Sequence, residues 1–152
     1  MVDFFRDTVS YFHKEWGDRC TIDEENKTIT MPMVGDHQTY KISCTVKGNV
    51  FNIVVICPIK IPQDKIAEAC ILANRINVAS IPAFVVDPDN GVLAVTLDFY
   101  VMDSKLSNNT IKTNLFISVF SADKYYPAFE KVVSTDINAR DTLKSVESVS
   151  KG

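Results

Sequence analysis

The chain has 152 residues, of which 46% are hydrophobic and 23% charged, and its net charge at pH 7 is −3. This length and composition are typical of one soluble globular domain whose core needs no disulfide or metal. The net negative charge argues against nucleic-acid binding, because phosphate contacts require a surplus of lysine and arginine on one face.

The N-terminal residues do not have the pattern of an export signal. The stretch from Met1 to Asp7 lacks a basic start and a continuous apolar core, and no apolar run is as long as a membrane-spanning helix. We therefore expect a cytoplasmic protein that does not bind a membrane. Reduced core thiols are expected at the four widely spaced cysteines, Cys20, Cys44, Cys57 and Cys70.

Residues 3–16 have the pattern of an amphipathic helix. Asp3 is a candidate N-cap and Gly17 a candidate stop. The apolar side chains recur at helical spacing, at Phe5, Val9, Phe12 and Trp16. An aromatic stripe of this kind indicates a helix that docks on a sheet.

Four strands are predicted to follow this helix. They are placed at residues 20–23, 27–33, 38–47 and 50–57. The third alternates strictly between apolar and polar residues, which is typical of a strand with one face in the core. The fourth is apolar on both faces apart from Asn52, which predicts a central strand. Pro58 and Pro62 predict that the chain breaks before the next helix.

The second predicted helix, residues 63–77, has an unusually narrow charged arc. Its charged residues are Asp64, Lys65, Glu68 and Arg75. Apolar residues cover most of the remaining circumference, so the helix is either buried on two sides or offers a second apolar face to a partner. Ile71 and Leu72 are therefore candidate contact residues for a partner protein.

A hairpin and a helical region complete the chain. The predicted strands at 82–87 and 92–101 are joined by a polar turn. From Asn108 to Thr135 the pattern is helical, and Pro127 predicts a break or restart near residues 121–127. We expect a single α+β domain over residues 1–135. A polar tail over 136–152 follows, as a short helix or as disordered chain.

The sequence has no recognisable catalytic or metal-binding motif. Its two histidines, His13 and His37, lie in different elements, and no Cys-x-x-Cys or His-x-x-x-His spacing occurs. Asp87 and Asp89 resemble the start of a calcium loop, but Gly91 comes one place early, so a hairpin turn fits better. There is no nucleophile elbow and no glycine-rich phosphate loop. We therefore predict no catalytic residue, no metal and no cofactor.

Interaction surfaces are the remaining functional candidates. Aromatic residues concentrate around Tyr125 and Tyr126, close to the predicted helix break. Aromatic side chains contribute strongly to protein interfaces when they are exposed. Tyr125 and Tyr126 therefore join Ile71 and Leu72 as candidate contacts. An unpaired sheet edge is a further candidate, because it can accept an extended peptide.

Several short motifs occur in the order found in a known domain family. They are Trp16 at the end of the first helix, Ile53 to Ile61 followed by Pro62, Leu72-Ala73-Asn74-Arg75-Ile76-Asn77, Phe84 before Asp87, Asn90-Gly91, and Tyr125-Tyr126-Pro127. Over residues 4–135 this arrangement resembles the bacterial YbjN-like domain, whose fold is similar to that of type III secretion chaperones. The chain departs from the pattern at Ile81-Pro82, where such domains often have a glycine.

The resemblance implies an α+β fold in which helices pack on a twisted antiparallel sheet, in the order α-β-β-β-β-α-β-β-α(-α). It also implies a non-enzymatic role, chaperone-like or regulatory, and a protein that often pairs as a homodimer. Secretion chaperones of this fold class hold extended segments of client proteins against apolar patches, and the transfer of that activity to this chain is a fold-level analogy.

Three functions are compatible with the sequence. The first is a protein-binding module that uses apolar helix or sheet surface and forms a homodimer. The alternative is a small-molecule-binding protein or minor enzyme, with a pocket between the second helix and the sheet and with Asn52 and Asn74 as polar anchors. The third is a purely structural subunit of a larger assembly. An open apolar cavity beside the two asparagines would favour the alternative.

Overall fold

The computed structural model describes residues 4–101 and 107–149, which form one antiparallel sheet and four α-helices. The helices are α1 (Phe4–Trp16), α2 (Ile66–Asn77), α3 (Asn108–Ser134) and α4 (Ala139–Val149). The strands are β1 (Thr21–Asp23), β2 (Thr28–Val34), β3 (Thr39–Lys47), β4 (Val50–Lys60), β5 (Ala83–Val86) and β6 (Val92–Tyr100). The predicted α+β class and element order are confirmed, including the final helix.

The strand order within the sheet is β1-β2-β3-β4-β6-β5. Hairpins connect β1 through β4 in sequence, and α2 carries the chain from β4 to the last hairpin. Since β6 pairs with β4, the short strand β5 is left at one edge and β1 at the other. The central position predicted for β4 is therefore correct.

One face of the sheet carries the core. Ile53 of β4 lies opposite Cys44 of β3 and Leu97 of β6, so alternate side chains of neighbouring strands share a face. Ile53 is 0% exposed, and Phe12 of α1 and Phe129 of α3 belong to the same core at 0% exposure. The helices thus bury their apolar faces on this side of the sheet.

β4 is longer than its sequence predicts. The prolines predict an end at Cys57, but the strand continues through Pro58 to Lys60. Its pairing with β6 shifts register between Ile56 and Lys60, as in a β-bulge. Such an irregularity accommodates a proline that cannot donate a ladder hydrogen bond. Pro62 then leads into a 3-10 turn, Gln63–Lys65, before α2.

α3 is one continuous helix, so the predicted break near residues 121–127 is wrong. Ser107 caps its start by accepting a hydrogen bond from the Thr110 amide at 3.1 Å, and Pro127 lies inside it. A proline in a helix interior costs about 3 kcal/mol. Tyr126 and Phe129 are at most 4% exposed, and burial of each such side chain contributes about 1.5–3 kcal/mol. Packing on the sheet therefore outweighs the local preference of Pro127.

Residues 139–149, in the segment after α3, form the short helix α4. Asn138 caps α4 by accepting a hydrogen bond from the Asp141 amide at 3.0 Å. Glu68 of α2 accepts a second bond, from the Ala139 amide, also at 3.0 Å. These contacts satisfy amides at the start of α4 that have no partner within the helix. They also attach α4 to α2.

α4 has an apolar stripe that the sequence analysis did not recognise. Ala139, Leu143 and Val146 recur at i, i+4 and i+7. Ala139 is 1% exposed, and Thr142 on the same side is 0% exposed. The helix packs on both α2 and α3, and this packing creates surface features that depend on contacts between residues far apart in the sequence.

Candidate interaction surfaces

The two candidate contact residues of α2 lie in different environments. Leu72 is 0% exposed and packs in the core beside Ala69 and Ala73, whereas Ile71 is 44% exposed. Adjacent residues of a helix point about 100° apart, so one faces the sheet and the next faces outward. Leu72 therefore stabilises the fold, and Ile71 has side-chain area that a partner could contact.

The two candidate tyrosines of α3 are buried. Tyr125 is 8% exposed and meets Phe84 edge-to-face, with ring centroids 5.6 Å apart. Tyr126 is 4% exposed and meets Tyr40 in the same way at 6.2 Å. Its hydroxyl donates to the Pro58 carbonyl at 3.4 Å. The two rings hold α3 on the sheet, so Ile71 is the one exposed side chain among the four candidates.

The pocket expected between α2 and the sheet does not hold both of its polar anchors. Asn74 is exposed on α2. Asn52 lies on the opposite face of the sheet, where its amide group donates to Asp98 and, at 3.5 Å, to Thr96 Oγ1. The space between α2 and the sheet is occupied by the core side chain of Leu72. The two asparagines thus cannot form one small-molecule site.

A buried carboxylate fixes the loop between β2 and β3. Asp123 of α3 is 8% exposed and accepts three hydrogen bonds, from the Asp36 amide at 2.9 Å, the His37 amide at 3.0 Å and the Tyr40 hydroxyl at 2.8 Å. Burial alone would raise the pKa of Asp123, but these hydrogen bonds together outweigh burial and hold it below its usual value. Burial and the bond to Asp123 raise the pKa of Tyr40.

Gly35 leaves the space that this carboxylate occupies. A Cβ atom at Gly35 would lie 2.5 Å from Asp123 Oδ1 and 2.9 Å from Tyr40 Cε2. The Gly35 amide donates to the Gln38 carbonyl at 2.8 Å, which closes the loop. The sequence signal for this contact was a charged residue on the core side of a helix, between Ala122 and Tyr125. It was interpreted instead as part of a helix break.

α3 exposes two large aromatic side chains on the side away from the sheet. Phe116 is 51% exposed and Phe120 is 70% exposed. Ile81, in the loop between α2 and β5, is 77% exposed and lines a depression of about 180 Å³ together with Phe120. We call Ile81, Phe116 and Phe120 the apolar patch. Exposed apolar side chains that cluster in this way mark interaction sites.

A second depression, of about 320 Å³, lies between α3, α4 and the β2–β3 loop. Phe120 and Pro127 of α3 and Val146 of α4 supply its apolar lining, and Lys124 and Lys131 supply positive charge. Phe120 and Lys124 line both depressions and so form the ridge between them. The sequence could not predict this depression because it depends on the position of α4.

The edges of the sheet offer little backbone to an added strand. β1 has only three residues. At the other edge, the Asn77 side chain accepts a hydrogen bond from the Phe84 amide at 2.7 Å and donates one to the Phe84 carbonyl at 3.0 Å. This side chain occupies the outward-facing amide and carbonyl of Phe84, which an added peptide strand would otherwise use. The edges are therefore poorer candidates than the apolar patch.

The face of the sheet opposite the core has no buried side chain among the strands described. We call it the open face. Val54 and Ile56 of β4 and Ala94 of β6 form its half-buried apolar centre, and Val85 of β5 beside them is 48% exposed. A sheet face of this kind can be covered by another molecule.

The cysteines are largely sheltered. Cys44 and Cys57 are buried, and burial raises the pKa of both thiols, that of Cys57 to about 12. Cys20 and Cys70 are half-buried. Across residues 4–101 and 107–149, no group of three or more histidine, cysteine, aspartate or glutamate side chains is placed to hold a metal ion.

None of the helices described above has both the length and the apolar composition needed to cross a lipid bilayer.

Solved structures of similar fold include two with TM-scores above 0.5. A chain of the HopA1–SchA chaperone–effector complex aligns with a TM-score of 0.51 and 16% identity, over 79% of this chain and 94% of that chain. YbjN from E. coli, described as a candidate transcription regulator, aligns with a TM-score of 0.55 and 12% identity, over 78% of this chain and 85% of that chain. At these identities the likeness establishes the fold alone.

The chain therefore has the fold of YbjN and of type III secretion chaperones, which confirms the resemblance seen in its sequence. No protein-family model matches the sequence. No curated protein matches it in sequence either.

Proposed function

We propose that this chain is a non-enzymatic protein-binding module, chaperone-like or regulatory, that binds a partner protein through its apolar surface. The apolar patch of Ile81, Phe116 and Phe120 is the observation that carries the proposal. Removing one such side chain from water contributes about 1.5–3 kcal/mol, so covering the patch would stabilise a complex appreciably. Ile71, 44% exposed on α2, is a further contact in this proposal.

The hydrogen bonding of the buried polar groups supports binding rather than catalysis. Active sites often keep a buried ionisable group poised for reaction, with an incomplete set of hydrogen bonds. Asp123 and Tyr40 instead bond to each other and to the β2–β3 loop. Across the part of the chain that the structure describes, every buried side-chain nitrogen and oxygen has a hydrogen-bond partner.

Affinity purification of the tagged chain from native extract tests the proposal. We expect one protein to be recovered in stoichiometric amount with the wild-type chain. Ile81→Asp places a charge in the apolar patch and should reduce that recovery about tenfold or more. Val34→Asp is the matched control, since Val34 is 76% exposed and Ile81 77% exposed. The control should recover the partner as the wild type does.

Failure of the wild-type chain to recover any stoichiometric protein would contradict the binding function. Equal recovery by the wild type and Ile81→Asp would instead show that binding uses another surface. Circular dichroism of both variants should match the wild type, because surface substitutions usually change the free energy of unfolding by about 0.5 kcal/mol or less.

The module is also proposed to form a homodimer through the open face. The apolar centre at Val54, Ile56 and Ala94 supports this arrangement, since pairing two copies would remove it from water. Light scattering across a concentration series should give twice the mass of one chain, and Val85→Asp should shift the equilibrium to the monomer. A wild-type protein that stays monomeric at high micromolar concentration would contradict the dimer.

A further inference from the structure

Beside the apolar patch, the exposed charged residues of α3 are all lysines. Between Lys112 and Lys124, the exposed residues of α3 are two lysines, one threonine and two phenylalanines: Lys112, Thr113, Phe116, Phe120 and Lys124. The one acidic residue in this span, Asp123, is buried and bonded to the β2–β3 loop. The loop at residues 78–82, which carries Ile81, contains no charged residue.

The lysines lie at both ends of the aromatic pair. Lys112, Phe116, Phe120 and Lys124 recur every four residues, so they form one stripe along α3. Lys112 Nζ is 5.9 Å from the centre of the Phe116 ring, and Lys124 Nζ is 5.1 Å from the centre of the Tyr125 ring. Within the described part of the chain, neither lysine forms an ion pair.

This local charge is opposite to that of the protein as a whole. The net charge is −3, yet the patch is bordered by cations and by no exposed carboxylate of α3 between Lys112 and Lys124. Complementary charge selects partners and speeds their encounter. Lys112 and Lys124 would repel a segment with basic residues. They could form ion pairs with a segment that carries acidic residues.

The shape of the surface also favours a partner with large apolar side chains. Phe120 and Lys124 stand between a depression of about 180 Å³ and one of about 320 Å³. In the larger one, Lys131 Nζ donates to Ser145 Oγ at 3.0 Å. Asp36 and Asp123 also line it; both oxygens of Asp123 accept hydrogen bonds, whereas the Asp36 carboxylate is exposed. Two large apolar side chains could occupy the depressions on either side of the ridge.

We infer that the apolar patch and the two depressions beside it bind a peptide segment of a partner protein that is both acidic and apolar. Large apolar side chains of the segment cover Phe116 and Phe120, and its carboxylates face Lys112 and Lys124. The inference rests on the proposed protein-binding function and specifies the chemistry of the partner. A peptide is favoured over an anionic membrane because the two depressions can each accept a single side chain, whereas a membrane presents a broad surface.

Selection of short random peptides displayed on phage against the full wild-type chain tests the inference. We expect the enriched peptides to combine large apolar residues with aspartate or glutamate. Fluorescein-labelled synthetic copies should bind in an anisotropy assay, more weakly as salt is raised. Phe120→Ala and Lys124→Glu should each weaken binding about tenfold, because the first removes the ridge and the second reverses its charge.

Two control variants make the same kinds of change at positions away from this surface. Val34→Ala removes an apolar side chain of similar exposure (76% against 70% for Phe120), and Lys14→Glu reverses an exposed lysine on α1. Both should bind the peptides as the wild type does. Peptides that bind equally well to Phe120→Ala would overturn the inference while leaving the protein-binding function in place. Enrichment of basic peptides, or of no peptide, would also overturn it.

Sedimentation with vesicles of phosphatidylcholine and phosphatidylglycerol tests whether an anionic membrane binds the patch instead of a peptide. We expect the wild-type chain to stay in the supernatant. Sedimentation that is lost in Phe120→Ala would overturn the peptide assignment and give the patch to an anionic membrane surface.

Discussion

Replacing Leu72 by aspartate is expected to unfold the protein. Leu72 is 0% exposed and packs between α2 and the sheet, so the substitution removes a core side chain and buries a charge with no partner. Truncation of a buried leucine alone costs about 2–5 kcal/mol, and an unpaired buried charge adds several more. The total approaches the whole stability of a typical domain, about 5–15 kcal/mol. Far-UV circular dichroism and urea unfolding of the purified variant check this result.

Ile71→Asp is the matched control, one residue away on the same helix. Because Ile71 is 44% exposed, its aspartate can remain in water. We expect this variant to stay folded and to lose about 1 kcal/mol or less of unfolding free energy, mainly through the poorer helix propensity of aspartate. A folded, stable Leu72→Asp protein would contradict the packing of α2 described above.

Asp123→Asn is expected to lower the free energy of unfolding by about 2 kcal/mol at pH 7, because it replaces a charged acceptor of three hydrogen bonds by a neutral amide. The folded-state pKa of Asp123 is lowered, so the ionised carboxylate stabilises the fold above its unfolded pKa of about 3.9. That stabilisation is lost as the pH falls through the folded-state pKa. The difference between wild type and variant should therefore shrink in acid.

Urea unfolding of the wild type and of Asp123→Asn, from pH 7 down into acid, measures the difference in unfolding free energy. Asp36→Asn is the control, because Asp36 is exposed and contributes its backbone amide, not its carboxylate, to the contact. The control should behave as the wild type does at every pH. A difference between wild type and Asp123→Asn that persists unchanged in acid would show that the Asp123 carboxylate has no lowered pKa.

The Asp123 contact also connects stability with the proposed binding surface. It attaches the β2–β3 loop to α3 one position before Lys124, and the loop residues Asp36 and His37 form a wall of the larger depression. Loss of the contact would free that wall from α3. Asp123→Asn should therefore change the shape of the depression as well as the stability of the fold.

Periodicity in the sequence was sufficient to predict the elements of the sheet. The strict alternation of residues 39–47 places Tyr40, Ile42 and Cys44 on one face, and all three are at most 2% exposed. The apolar run of β4 correctly predicted a central strand. These signals are local, because burial of one face of a strand requires the same alternation wherever the strand lies.

Local sequence signals were misleading where long-range packing decides whether a helix continues and which side chains are buried. Pro127 predicted a break in a helix that is continuous, since the burial of Tyr126 and Phe129 outweighs the cost of the proline. Tyr125 and Tyr126, near that proline, were candidate contacts for a partner, but the continuous helix directs both side chains into the core. The same helix directs Phe116 and Phe120 outward. Nothing in the sequence pattern distinguished these two phenylalanines from core residues.

The sequence by itself determined the α+β class, the order of the elements and the resemblance to the YbjN-like domain, because hydrophobic period and turn residues act over short distances along the chain. Only the tertiary structure decided which apolar residues remain exposed. Exposure depends on which side of each helix meets the sheet and on where α4 packs, and these are set by contacts between residues far apart in sequence. That is why Leu72 is part of the core, while Phe120 stands at the surface between two depressions.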